Sequence, residues 1–148
     1  MAHFISAIVA KAPVNHAKAA DLDLPVFEEG GFATVALFDR HAAHWAERLG
    51  SSAESATGRL IDAPVVLDFA RALDLWSFAL VATEYFGGVG EQFASVFEDG
   101  TCVMETTEGG INAALRRIGV ECAGELDEFD TVGLGKRREF SEYFKAYW

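Results

Sequence analysis

Two carboxylates bracket a run of glycines in the segment Thr83-Glu84-Tyr85-Phe86-Gly87-Gly88-Val89-Gly90-Glu91-Gln92. Glu84 and Glu91 lie on either side of one expected turn, with Tyr85, Phe86 and Gln92 beside them. Such a pair has three chemistries open to it: sharing a proton, holding a cation, or meeting a basic partner. Acid/base work of the glycosidase kind requires both carboxyls in one cleft, about 5–9.5 Å apart. The plainer reading leaves both in water, with the glycines only shaping the backbone.

Other candidates are weaker. His41, His44 and Glu47 form His-x-x-His-x-x-Glu on an expected helix. Zinc prefers more nitrogen or sulfur ligands and a third partner, and the spacing does not bring His3 or His16 near. The three are expected as exposed polar helix positions. Asp127-Glu128-Phe129-Asp130 has no EF-hand alternation and no central glycine. Gly-x-Ser-x-Gly is absent, and Cys102, expected within a strand, reads as core packing. The glycines fit neither a dinucleotide fingerprint, since Phe93 stands where the third glycine belongs, nor a P-loop, since no Gly-Lys-Ser/Thr follows. Lys136-Arg137-Arg138 is expected to pair with acids such as Glu139 and Glu142, or to be solvated. No catalytic residue, metal ligand or cofactor site is assigned.

The elements that position these residues read from pattern. Ser77–Thr83 and Phe93–Phe97 are expected strands on either side of the glycines, joined by roughly 3–5 loop residues with room for a bulge. A second hairpin is expected where Pro25–Phe27 and Phe32–Phe38 flank Glu28-Glu29-Gly30-Gly31. Phe4–Val9 is a first strand, and Pro13 opens a short helix over 14–20. Asp39 is expected to cap a helix with Ala42, Trp45, Ala46 and Leu49 inward and Gly50 as its stop. After a polar connector, Asp62 and Pro64 open a helix whose Val66, Phe69, Leu73 and Trp76 share a face. Glu98-Asp99-Gly100 turns into a strand at Thr101–Met104. Thr106 or Thr107 is expected to cap a helix burying Ile111, Ala114, Leu115 and Ile118. An acidic loop over 121–135 and a final helix over 137–147, burying Phe140, Phe144 and Trp148, complete the chain. The fold class is α+β: a mostly antiparallel sheet with helices packed on it, in two sequential modules, β-α-β-β-α and α-β-β-β-α. Whether the modules share one sheet stays open.

The totals bound the function. A chain of 148 residues is one domain by size, and 51% hydrophobic residues with 12 Phe can build a core. The formal charge of −11 disfavours nucleic-acid binding, which needs a positive field, and suits a basic protein partner. Two cysteines, Cys102 and Cys122, are too few for a disulfide scaffold and are expected as free buried thiols. The chain opens without a basic signal-like stretch, and no apolar run approaches ~18 residues, so a cytoplasmic place without membrane contact is expected.

Tyr85-Phe86-Gly87-Gly88-Val89-Gly90-Glu91-Gln92, followed by Gly109-Gly110-Ile111-Asn112-Ala113-Ala114-Leu115 and Asp127-Glu128-Phe129-Asp130, resembles a small uncharacterised bacterial family. That family in turn resembles the immunity proteins of bacterial toxin systems, and the likeness covers the C-terminal half of the chain. The resemblance implies binding and no catalytic residue. The expected function is therefore a small acidic intracellular protein neutralising a basic toxin or enzyme. Its contacts are assigned to Glu84, Tyr85, Phe86, Gly87, Gly88, Gly90, Glu91 and Gln92 of the hairpin, with Asp127, Glu128 and Asp130. The alternatives are an enzyme using Glu84 and Glu91 in a cleft, and a nucleic-acid mimic.

Overall fold

The computed structural model describes residues 2–148. Its strands are β1 (Ala2–Lys11), β2 (Val26–Glu29), β3 (Phe32–Leu37), β4 (Phe78–Phe86), β5 (Val89–Glu98) and β6 (Thr101–Glu108). They form one six-stranded sheet in the order β2-β3-β1-β4-β5-β6, antiparallel at every pairing. The fold is α+β, and the two expected modules share a single sheet. β1 joins them: Ser6–Lys11 pair with β3, while Ala2–Val9 pair with β4.

Alternation in the strands makes two cores. Ile8, Ala10, Val35, Leu37, Leu80 and Phe93 face one side. There they meet helices α1 (His16–Asp21), α2 (Asp39–Leu49) and α3 (Pro64–Ala72), whose Ala19, Ala42, Val66 and Phe69 are buried. Ile5, Ala7, Val9, Ala36, Val81 and Val96 face the other side. They are covered by α4 (Ile111–Arg117), by α5 (Glu128–Thr131) and by a C-terminal pair of 3₁₀ turns over Ser141–Tyr147. Strands covered on both faces become runs of apolar residues, and all six residues of β3 are buried.

The boundaries differ from expectation where long-range packing overrides local signals. Tyr85 and Phe86 belong to β4, and Gly90, Glu91 and Gln92 to β5, because ladder pairing continues down to Phe86 opposite Val89. The turn is therefore two residues, Gly87-Gly88, both at positive φ, the type I′ pattern whose twist matches the strands. β6 runs on through Thr106 and Thr107, so neither caps α4, whose N-cap is Gly110. Asp39 and Asp62 do not cap either: Phe38 and Ala63 hold the N-cap positions without a side-chain bond. Trp76 lies beyond the end of α3 and is exposed, as are Leu49 and Trp148. The final helix is broken at Phe144, whose φ and ψ of −123° and 32° are not helical.

His41 is the largest departure. It is fully buried rather than solvated. Its Nε2 donates to the Leu22 carbonyl at 2.6 Å, and its ring sits among Phe69, Phe144 and Tyr147 at centroid distances of 5.0–5.4 Å. Nδ1 has no partner among the described residues. Burial pushes the imidazole pKa below its ordinary 6.5, against the Leu22 carbonyl and Asp23, which favour the cation. The folded protein thus holds His41 neutral while the unfolded chain takes up the proton first. This contribution is fully present above pH 6.5 and is lost as pH falls below it. Denaturant unfolding from pH 8 to pH 5 is expected to show falling stability below about 6.5, with the His41 ring resonances of the folded protein titrating below the ordinary imidazole value. A ring that titrates at or above 6.5 in the folded protein would contradict this assignment.

Candidate functional site

The far end of the β4–β5 hairpin overhangs the helices, and its two faces carry different chemistry. Pairing puts Phe4, Glu84 and Glu91 in one cross-strand row and Ala2, Phe86 and Val89 in the next, all on the α2–α3 side of the sheet. Past the last covered residues, Ala82 and Phe93, that side is bare. Phe86 is 82% exposed, Val89 80% and Phe4 58%. Glu84 and Glu91 stand directly opposite each other, both exposed, and neither forms an ion pair among the described residues. Like charges in directly opposed positions oppose strand pairing. The result is an apolar tip backed by two carboxylates with no cation of their own among the described residues.

The other face opens into a cleft of about 240 Å³. Tyr85 and Gln92 form one wall, with Gln92 Nε2 donating to the Tyr85 hydroxyl at 3.0 Å. Asp127 and Phe129 form the opposite wall, held by Asn112 of α4. Asn112 Nδ2 donates to Asp127 Oδ2 at 3.2 Å, and its Oδ1 accepts from the Phe129 amide at 2.9 Å. Asp127 also caps α5, its Oδ1 accepting from the Asp130 amide at 2.9 Å. His3 and Thr83 close the floor. His3 Nε2 donates to the Leu134 carbonyl at 3.0 Å, so in the neutral ring Nδ1 accepts from the Thr83 hydroxyl at 2.6 Å. Thr83 Oγ1 in turn accepts from the Ile5 amide at 3.2 Å. Both His3 nitrogens are thereby occupied, which makes the ring a brace of the cleft.

Of the residues assigned from sequence, the structure brings Tyr85, Gln92 and Asp127 to one cleft. It sends Glu84, Phe86 and Glu91 to the opposite face. Gly87, Gly88 and Gly90 shape the arm between them. Asp130 is exposed at the first turn of α5. Glu128 is buried, and Arg116 Nε donates to its Oε1 at 2.9 Å. Its own backbone amide, and then the Arg116 guanidinium, hold its carboxyl below the usual range. His3, Thr83, Asn112 and Phe129 are not among the contact residues assigned from sequence: each is unremarkable alone, and only strand register and the α4–α5 docking unite them. Among the described residues no group of three or more His, Cys, Asp or Glu is placed to hold a metal, and no helix is long and apolar enough to cross a membrane.

Two further expectations are corrected. Cys102 and Cys122 are free but exposed, Cys102 because β6 is the sheet edge. Lys136 pairs with Glu29, and the Arg137 guanidinium lies 3.7 Å above the Phe27 ring. This basic run thus reaches β2 across the sheet edge rather than pairing with Glu139 and Glu142.

The fold and site define an antiparallel α+β protein with an overhanging, acid-flanked hairpin. No family model, no curated protein and no solved structure matches the chain.

Hairpin geometry rests on Gly90. A Cβ there would stand 1.9 Å from the Glu84 carbonyl oxygen and 2.7 Å from Tyr85 Cα, both backbone atoms that have no freedom to move aside. At Gly87 the space is open and only the φ of 61° resists a side chain. Gly90→Ala is expected to destabilise the protein by about 1–3 kcal/mol, as overpacking does. Gly87→Ala is expected to cost about 1–2 kcal/mol. Urea unfolding measures both, and amide exchange in β4 and β5 should rise more in Gly90→Ala.

Proposed function

We propose that this protein binds a basic protein partner through the β4–β5 hairpin, in the manner of the small acidic immunity and inhibitor proteins that neutralise a toxin or enzyme. The observation that carries this reading is the pair of exposed apolar residues Phe86 and Val89 beside the exposed carboxylates Glu84 and Glu91. Aromatic anchors surrounded by polar groups are the usual energetic centres of protein interfaces. The two carboxylates, within a chain of net charge −11, supply complementarity to lysine or arginine and steer encounter. A partner cation between Glu84 and Glu91 would also relieve their mutual repulsion. The resemblance in Tyr85–Gln92 points the same way, and on this reading the protein acts in the cytoplasm.

The competing enzyme reading asks one carboxyl of the pair to be kept protonated by burial. Glu84 and Glu91 both stand in solvent, which favours recognition over catalysis.

The test is growth rescue. The protein is co-expressed with the products of the reading frames beside its own gene. Wild type is expected to restore growth against one of them and to co-purify with it. Phe86→Ser is expected to weaken that complex by about 2 kcal/mol or more, and Glu84→Lys with Glu91→Lys to abolish rescue, while the unfolding midpoint of each variant stays near wild type. Toxicity that no wild-type expression relieves, or rescue unaffected by these substitutions, would overturn the reading.

A further inference from the structure

A second pocket lies on the α2–α3 side of the sheet, well away from the hairpin tip. It is about 220 Å³ in volume, between the N-terminal end of α3 and the edge strand β6. Its walls are apolar, formed by Leu67, Leu80 and Phe97 among others. Its polar groups are Ser95, Asp62, Glu105 and Thr106, with the thiol of Cys102, and among the described residues no lysine, arginine or histidine lines it.

Ser95 is the anomaly. Its residue is 3% exposed, and its Oγ has no hydrogen-bond partner among the described residues. Burying a hydroxyl without a partner is unfavourable, and alanine or valine would fit a strand interior at no such cost. The ladder is also broken at this point. Ala94 pairs with Thr107 and Val96 with Met104, so Ser95 alone faces both Glu105 and Thr106. A bulge of this kind redirects side chains and recurs beside functional sites. Here it brings Glu105 and Thr106 to the mouth of the pocket. Asp62 is fixed across from them: the Thr57 hydroxyl donates to its Oδ2 at 2.6 Å, and the Thr106 hydroxyl donates to its Oδ1. The orphaned hydroxyl, the bulge and the braced carboxylate are separate features, and they meet in one pocket.

We propose that this pocket binds a small organic amine with a compact apolar body. An ammonium has three N–H donors and no acceptor. The lining offers acceptor oxygens on Asp62, Ser95 and Glu105 and no competing cation. A carboxylate or phosphate ligand would instead meet two negative charges. The apolar walls take the hydrocarbon part. The volume lies under the ~300 Å³ floor of sites for drug-sized molecules, which confines the ligand to metabolite size.

The experiment uses three matched probes: benzylamine, benzyl alcohol and benzoate. They share one ring and differ in their polar head. Binding to the full chain is followed by amide chemical shifts. Benzylamine at millimolar concentration is expected to give saturable shifts at Ser95, Leu67 and Thr106, benzyl alcohol weaker ones, and benzoate none. Ser95→Ala removes an unpaired buried hydroxyl, so it is expected to leave the free protein as stable as wild type or more so. It should nonetheless weaken benzylamine several-fold, a combination that a purely structural serine would not produce. Asp62→Asn is expected to weaken benzylamine by about tenfold or more, as loss of a charged hydrogen bond does. Because Asp62 also braces Thr57 and Thr106, Glu105→Gln provides a second variant at an exposed position without side-chain bonds, expected to weaken benzylamine a few-fold. No saturable shift with benzylamine, equal binding of benzoate, or affinity unchanged in both Ser95→Ala and Glu105→Gln would overturn the proposal.

Discussion

Burial of β1 on both faces is the constraint on which the rest of the structure depends. Residues 7–10 of β1 are almost wholly inaccessible, Ala7, Ile8 and Val9 at 0%. Such a strand needs a neighbour on each edge and a helical layer on each face. The edges are filled by β3 and β4, one from each half of the chain. The faces are filled by α1–α3 on one side and by α4, α5 and the C-terminal turns on the other. The molecule is thus a sheet between two helical layers, although every strand pairing is antiparallel.

Two helical layers of limited length cannot cover strands of nine and ten residues from end to end. β1, β4 and β5 are the three long strands, and the turn that β4 and β5 share projects past both layers. The uncovered end therefore exposes one side chain set to each face: Glu84, Phe86, Val89 and Glu91 on one, Tyr85 and Gln92 on the other. The second set becomes a cleft because α5 is anchored beside it. Arg116 pairs with the buried Glu128, and Asn112 holds both Asp127 and the Phe129 amide. A segment expected from sequence as an acidic loop is in this way part of the frame, since a buried carboxylate persists only when it is hydrogen-bonded and paired.

The C-terminal segment closes the structure by a similar logic. Phe144 stacks on Phe38 at 5.4 Å, and Tyr147 accepts from Trp45 Nε1 at 3.2 Å while donating to Asp23. These contacts seal His41, which lies at the edge of the α2 apolar stripe, four residues before Trp45. Its burial is decided by a segment about a hundred residues away.

Much of the fold was legible in the residues alone. Short apolar runs marked the strands, Gly30-Gly31 and Gly87-Gly88 marked the hairpins, and helical spacing marked the inward faces of α2, α3 and α4, because these signals arise from sterics between near neighbours. The half of the site that lies within one hairpin was legible for the same reason. What tertiary structure alone decided was which side of the hairpin each residue faces, the meeting of His3, Asn112 and Asp127 around Tyr85, the burial of His41 and Glu128, and the exposure of Cys102 on an edge. Those outcomes depend on strand register, which a shift of one residue would invert. They depend equally on which layer reaches far enough to cover a given row, and no local pattern encodes either.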